Sequence, residues 1–213
     1  LTLTNVTIQD GVATGDQGGG IYNDGVLTLT ASRVISNHAT VSGGGIANFG
    51  KLLIDQGLIS ANRTAPGNGG GIVNGGQLTV TASTIIDNYA QARGGGIYHS
   101  VGALLLIDST VAQNRADVAG GGLANFDQMT SINSTISANT TDGAGGGLVN
   151  GGRLQMTNLT IADNLAGDGN TLYNSGTLTV ANTIMVDGVA GKHCTNWGIV
   201  NSQGHNLESD TTC

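Results

Sequence analysis

Few residues in this chain are equipped for chemistry, and their spacing limits what they could do. A polysaccharide lyase or hydrolase needs a basic side chain clustered with acidic groups in one cleft. Arg33, Arg63, Arg93, Arg115 and Arg153 do not converge on one face by repeat position. Asp87 and Asp163 each precede an Asn of a recurring column and read as solvated corners. His99 and Ser100 are only adjacent, whereas acyl transfer needs a base and an oxyanion hole arranged in space. Cys194, His193 and His205 are metal-binding residue types, but their spacing matches no zinc motif. The Gly triplets lack the lysine and helix of a phosphate loop, and no GGxGxDxUx calcium repeat is present. No catalytic centre, metal or cofactor is therefore expected.

The elements around these residues are set by a repeat. Gly18-Gly19-Gly20-Ile21-Tyr22-Asn23 recurs as GGGIAN, GGGIVN, GGGIYH, GGGLAN and GGGLVN, ending at Asn48, Asn74, His99, Asn125 and Asn150. A degraded copy, GNTLYN, ends at Asn174. The aliphatic residues Ile21, Ile46, Ile72, Ile97, Leu123, Leu148 and Leu172 are separated by 25, 26, 25, 26, 25 and 24 residues. Such regularity denotes a solenoid whose coils stack on their neighbours.

A second column holds Asn37, Asn62, Asn88, Asn114, Asn139 and Asn164. Leu27, Leu52, Leu78, Leu104, Met129 and Leu154 each lie ten residues earlier. Alternation follows, as in Leu27-Thr28-Leu29-Thr30, then a small polar pair and a third apolar site at Val34, Leu58 or Ile59, Ile85, Val111, Ile136 and Ile161. Period two means strands, and no helical period occurs. The expectation is an all-β, right-handed parallel β-helix with three strands per coil and seven to eight coils, a rod of roughly 35–40 Å. The Asn columns read as structural ladders, with Asn taking left-handed corners and bonding its copies, while Gly supplies positive φ elsewhere. His99 breaks the first column; it reads as a corner substitution, with a functional site as the alternative.

The residues before the first Asn column read Tyr22, Ala47, Val73, Tyr98, Ala124, Val149, Tyr173, a period of three coils. ANF at Ala47 and Ala124, VNGG at Val73 and Val149, and ISAN at Ile59 and Ile136 share this phase. A duplicated three-coil block explains the pattern. If Ile21 points inward, Tyr22, Tyr98 and Tyr173 share an outer face about 14 Å apart. That face is either a contact surface or a relic of duplication.

Outward positions of the second strand read Thr28, Leu53, Thr79, Leu105, Thr130, Gln155 and Thr179, too interrupted for an ice-binding threonine ladder. Leu53, Leu105 and Ile107 face outward if alternation holds, which suggests lateral packing. The alternative is a local slip at Leu104-Leu105-Leu106. Sequons at Asn5, Asn62, Asn133, Asn139 and Asn158 arise readily in such a composition. The net charge is −7, with no basic stripe and no apolar run of membrane-spanning length. Neither nucleic acid nor membrane insertion is expected.

After Val180 the pattern changes. Asn182-Thr183-Ile184, Cys194, Gly204-His205-Asn206-Leu207, Ser209-Asp210 and Cys213 resemble the terminal pattern NTI…C…G-Y-N-L-x-S-D…C of secreted bacterial right-handed parallel β-helix proteins, often of CSLREA type, with His205 where Tyr is usual. The GGGI-x-N repeat resembles those of polymorphic outer-membrane proteins. The resemblance implies a secreted or cell-surface setting and no particular activity. In that setting Cys194 and Cys213 read as one disulfide pinning a tail, residues 191–213, onto a solenoid of residues 1–190. A metal site or reactive thiol is the alternative. Leu1-Thr2-Leu3-Thr4 aligns with the interior strand Leu27 to Thr30 without a preceding cap, which suggests an end for self-association. The leading expectation is a non-catalytic structural module of a surface appendage or filament, polymerising end to end. The alternatives are a rod binding cell-surface glycan or protein through Tyr22, Tyr98 and Tyr173, and then a polysaccharide lyase or hydrolase.

Overall fold

The structure is a computed structural model that describes residues 1–186 and 192–208. It is an all-β parallel solenoid of about eight coils, with no helix among the described residues. Every strand pairs with its counterpart one coil away, so each sheet is built from one position of the repeat. Following one coil, the first sheet holds Ile21–Asn23 and its copies, and the second holds Val26–Thr30. The third holds Arg33–Ile35 and the fourth His38–Ala39. The expected three strands are the first three. The fourth has only two residues per strand, too short for period two to be seen.

Alternation places the core. Ile46, Ile72, Ile97, Leu123, Leu148 and Leu172 point inward from the first sheet and are buried. Leu52 and Ile54, Leu78 and Val80, and Leu104 and Leu106 do so from the second. Leu105 between them stays outward and half-buried, so the alternation does not slip. In the third sheet Ile59, rather than Leu58, occupies the inward site. Each such side chain stabilises by about 1.5–3 kcal/mol relative to exposure. The fourth sheet turns Ala39, Thr64, Ala90, Ala116 and Thr141 inward. These residues are small because the Gly triplets press against that sheet. A Cβ on Gly44 would lie 2.3 Å from the Arg63 carbonyl oxygen.

The Asn columns are buried ladders. In the second column each Asn donates from Nδ2 to Oδ1 of the Asn one coil on at 3.0 Å, and its backbone N–H donates to the same oxygen, from Asn37 to Asn164. One expectation is corrected: the ladder asparagines do not occupy the left-handed corners. The residue before them does, at Ser36, Ala61, Asp87, Gln113, Ala138 and Asp163. The bend is made one residue early, which turns the following amide inward toward its copies. The first Gly of each triplet takes positive φ as expected, for example Gly43 at 65°.

A third ladder was hidden in the small polar pair. Ser83, Ser109 and Ser134 accept from the preceding coil's backbone N–H and donate to their own i−2 carbonyls. Thr183 and then Asn206 take the same place further along. The change of pattern after Val180 therefore does not end the sheets. Cys194–Asn196, Ile199–Ser202 and Leu207–Glu208, within the expected tail, pair with Leu172–Asn174, Thr177–Ala181 and Ile184–Val186.

The ladders are expected to hold the coils together. Asn114→Ala would strip partners from the Asn88 amide and N–H and from the Ile85 and Ala112 carbonyls. A loss of at least about 3 kcal/mol in urea unfolding is expected, against less than about 0.5 kcal/mol for the outward Gln155→Ala.

Candidate functional site

The tyrosine column is real. The register runs Tyr22, Ala47, Val73, Tyr98, Ala124, Val149, Tyr173 across consecutive strands of the first sheet. Its outer face is not uniformly open, however. Ala47, Val73, Ala124 and Val149 are buried beneath the glycine turns. A Cβ on Gly43 would stand 2.8 Å from Val73 Cγ1, and one on Gly145 2.5 Å from Val149 Cγ2. The larger tyrosine rings emerge: Tyr22 is 54% exposed, while Tyr98 and Tyr173 are half-buried.

Each of the first two tyrosines stacks on an aromatic residue of the next coil. Tyr22 and Phe49 have ring centroids 5.6 Å apart, and Tyr98 and Phe126 5.5 Å apart, both tilted. Such pairs add about 0.5–1.5 kcal/mol beyond burial. Beyond each Phe lies a glycine whose Cβ would strike the ring, at 2.8 Å for Gly75 on Phe49 and 2.9 Å for Gly151 on Phe126. Tyr, Phe and Gly in successive coils thus form a packing unit, which gives the three-coil period a physical cause. Arg93 lies over the Phe126 ring, 5.9 Å from its centroid. In the third copy Trp197 follows Asn196 as Phe49 follows Asn48, and it is 76% exposed. The sequence displayed ANF twice; what it hid was that its Phe meets the Tyr one coil earlier.

His99 belongs to the first ladder. Asn23 donates to Asn48 and Asn48 to Asn74 at 2.7 and 2.6 Å. Asn74 Nδ2 then donates to His99 Nδ1 at 2.9 Å. Gln128 O can only accept, so His99 Nε2 carries the proton and donates to it at 3.1 Å. That bond replaces the one that Asn23, Asn48, Asn125 and Asn150 make to the equivalent carbonyl, such as Asn48 to Gln77 O. His99 has no second N–H for the next amide, and Asn125 Oδ1 is left buried without a partner. The ladder resumes from Asn125 through Asn150 and Asn174 to Asn196. Desolvation pushes the His99 imidazole below its ordinary pKa, the bond to Gln128 opposing it. A neutral, walled-in imidazole is a corner substitution, as the sequence suggested.

The five arginines do not converge on one face: Arg33 lies in the third sheet, Arg153 in the second and Arg93 outside the strands, and only two share a column. Arg63 and Arg115 share a column of the fourth sheet with Tyr89 between them. Arg63 lies 4.8 Å over the Tyr89 ring. The Tyr89 hydroxyl donates to Asp117 at 2.6 Å, and Arg115 bridges Asp117 and Asp142. Its bond to Asp117 raises the Tyr89 pKa, with burial and the charge of Asp117 adding to it, so the phenol stays protonated at neutral pH. The cluster is a surface brace. Asp87 and Asp163 are corners, as expected.

Leu1 to Thr4 lie where the alignment put them, with Thr2–Thr4 pairing against Thr28–Thr30. Cys194 is buried at the start of a first-sheet strand, while Cys213 lies outside the described residues. No group of three metal-ligating side chains occurs among the described residues. Among the sequons, Asn62 and Asn139 are sealed in the second ladder. Among the described residues no helix is long and apolar enough to cross a membrane.

The ladder gap gives a prediction. The unfolded His99 takes up a proton near pH ~6.5, the folded one only at lower pH. Between the two the unfolded state binds more protons, so stability is full above about 6.5 and falls as pH drops through that value. His99→Asn should supply an amide to Asn125, raise stability by about 1 kcal/mol and remove that part of the pH dependence. Urea unfolding of both proteins from neutral to acidic pH measures both effects.

No protein-family model, curated protein or solved structure matches this chain.

Proposed function

We propose that the chain is a non-catalytic rod of a secreted or surface-attached bacterial protein that binds glycan on its aromatic edge. The observation that carries the reading is the Tyr–Phe unit repeated along one edge, with rings partly open to solvent where neighbouring positions are covered. Aromatic faces offer apolar area at low entropic cost, and they suit the C–H faces of sugar rings. Platforms three coils apart, about 14 Å, favour a long or repeated ligand through multivalent contact. The likeness of repeat and tail to bacterial surface β-helix proteins supports the extracellular setting. A Cys194–Cys213 disulfide belongs to the same proposal.

Tyr22→Ala, Tyr98→Ala and Tyr173→Ala combined should weaken glycan binding at least about tenfold and leave the folded core in place. Glycan-array binding with circular dichroism as a folding control tests it. Unchanged binding by the folded variant rejects the aromatic edge.

The self-associating appendage expected from the sequence is the second reading. Outward Leu53, Leu105, Ile107 and Ile132 on the second sheet are only half-buried and favour contact with another copy. Electron microscopy of native material separates the two readings: continuous fibres support the appendage, and isolated rods the binding module.

A further inference from the structure

The outer face of the second sheet carries an open groove of about 530 Å³ beside the aromatic edge. It crosses five successive strands, from Gln77 to Thr179, and so runs along the rod for about 19 Å. Alternation lines it with outward side chains of two kinds: Ala103 and Leu105 make one apolar rung, and the flanking rungs carry groups that both donate and accept hydrogen bonds. Gln77, Gln128 and Gln155 bring amides, and Thr79, Thr130 and Thr179 bring hydroxyls. Along one side, at the starts of three of these strands, the groove opens into a corner pocket walled by the Phe126 ring and Asp127. The two spaces share Gln128, Arg153 and Thr177. That corner is kept clear by backbone packing, since a Cβ on Gly152 would lie 2.3 Å from the Asp127 carbonyl oxygen.

Resting on the glycan-binding reading, we propose that this groove seats an uncharged polysaccharide lying parallel to the rod axis. Hydroxyl-rich ligands both give and take hydrogen bonds, as amides and threonines do. Arg153 is the one cation among the described residues that line the groove, and the Asp127 carboxylate at the corner offsets it. The site is therefore near neutral, on a chain whose net charge of −7 disfavours polyanions. A nucleic acid would need many cations, and an added peptide strand would need a sheet edge, whereas this is a sheet face.

The test uses the whole chain and isothermal titration with cello-, xylo- and manno-oligosaccharides, with oligogalacturonate as the charged counterpart. The variants are Gln128→Ala with Gln155→Ala, and the groove-filling Ala103→Phe, all at outward positions. Support is binding of an uncharged oligosaccharide that weakens at least about tenfold in both groove variants, while circular dichroism is unchanged. Tighter binding of oligogalacturonate overturns the ligand class. Full binding by both groove variants, with loss only in the tyrosine variant, overturns the groove and leaves the aromatic edge standing. No binding of any oligosaccharide by the unaltered chain overturns both.

Discussion

The fold depends on buried amides that only a neighbouring coil can satisfy. An unpaired buried polar group costs about 1–3 kcal/mol, and the coils between Asn23 and Asn174 each bury at least one asparagine side chain at a turn. In the second column the partner is the same atom one coil away throughout. A single coil would leave these groups empty and could not bury its aliphatic residues. Stacking meets both demands together, so each strand must keep its register: one extra residue within a strand would displace the amide and turn the inward side chains out, whereas the turns absorb steps of 24 to 26 residues.

Much of this was legible because the same side chain must recur wherever the same contact recurs. The inward aliphatics, both Asn columns and the positive-φ glycines could be read from spacing. The left-handed residues could not, because Ser36, Ala61, Asp87, Gln113, Ala138 and Asp163 share a conformation without sharing a chemistry. The fourth sheet escaped notice because two-residue strands have no visible period. The Ser ladder was seen only as a small polar pair, since Gly57 and Leu159 interrupt it.

The candidate site was half visible. The tyrosine period could be counted, but its cause lies in contacts between coils, where Tyr22 meets Phe49 and Phe49 meets Gly75. Sequence reading placed the three tyrosines on one face and overestimated how open that face is, because the glycine turns cover Ala47 and Val73. His99 stood out in the sequence as a break in a column. The consequence, an unpartnered oxygen on Asn125, belongs to a different residue in the next coil.

The ladders also have a direction. In both columns the amide N–H of the earlier coil points at the oxygen of the later one. Aligned amides polarise one another and their dipoles add. Each ladder is thus an electret in miniature, its positive pole toward the later coils. In the first column that line of dipoles is cut between His99 and Asn125, which leaves two shorter electrical domains inside one continuous fold.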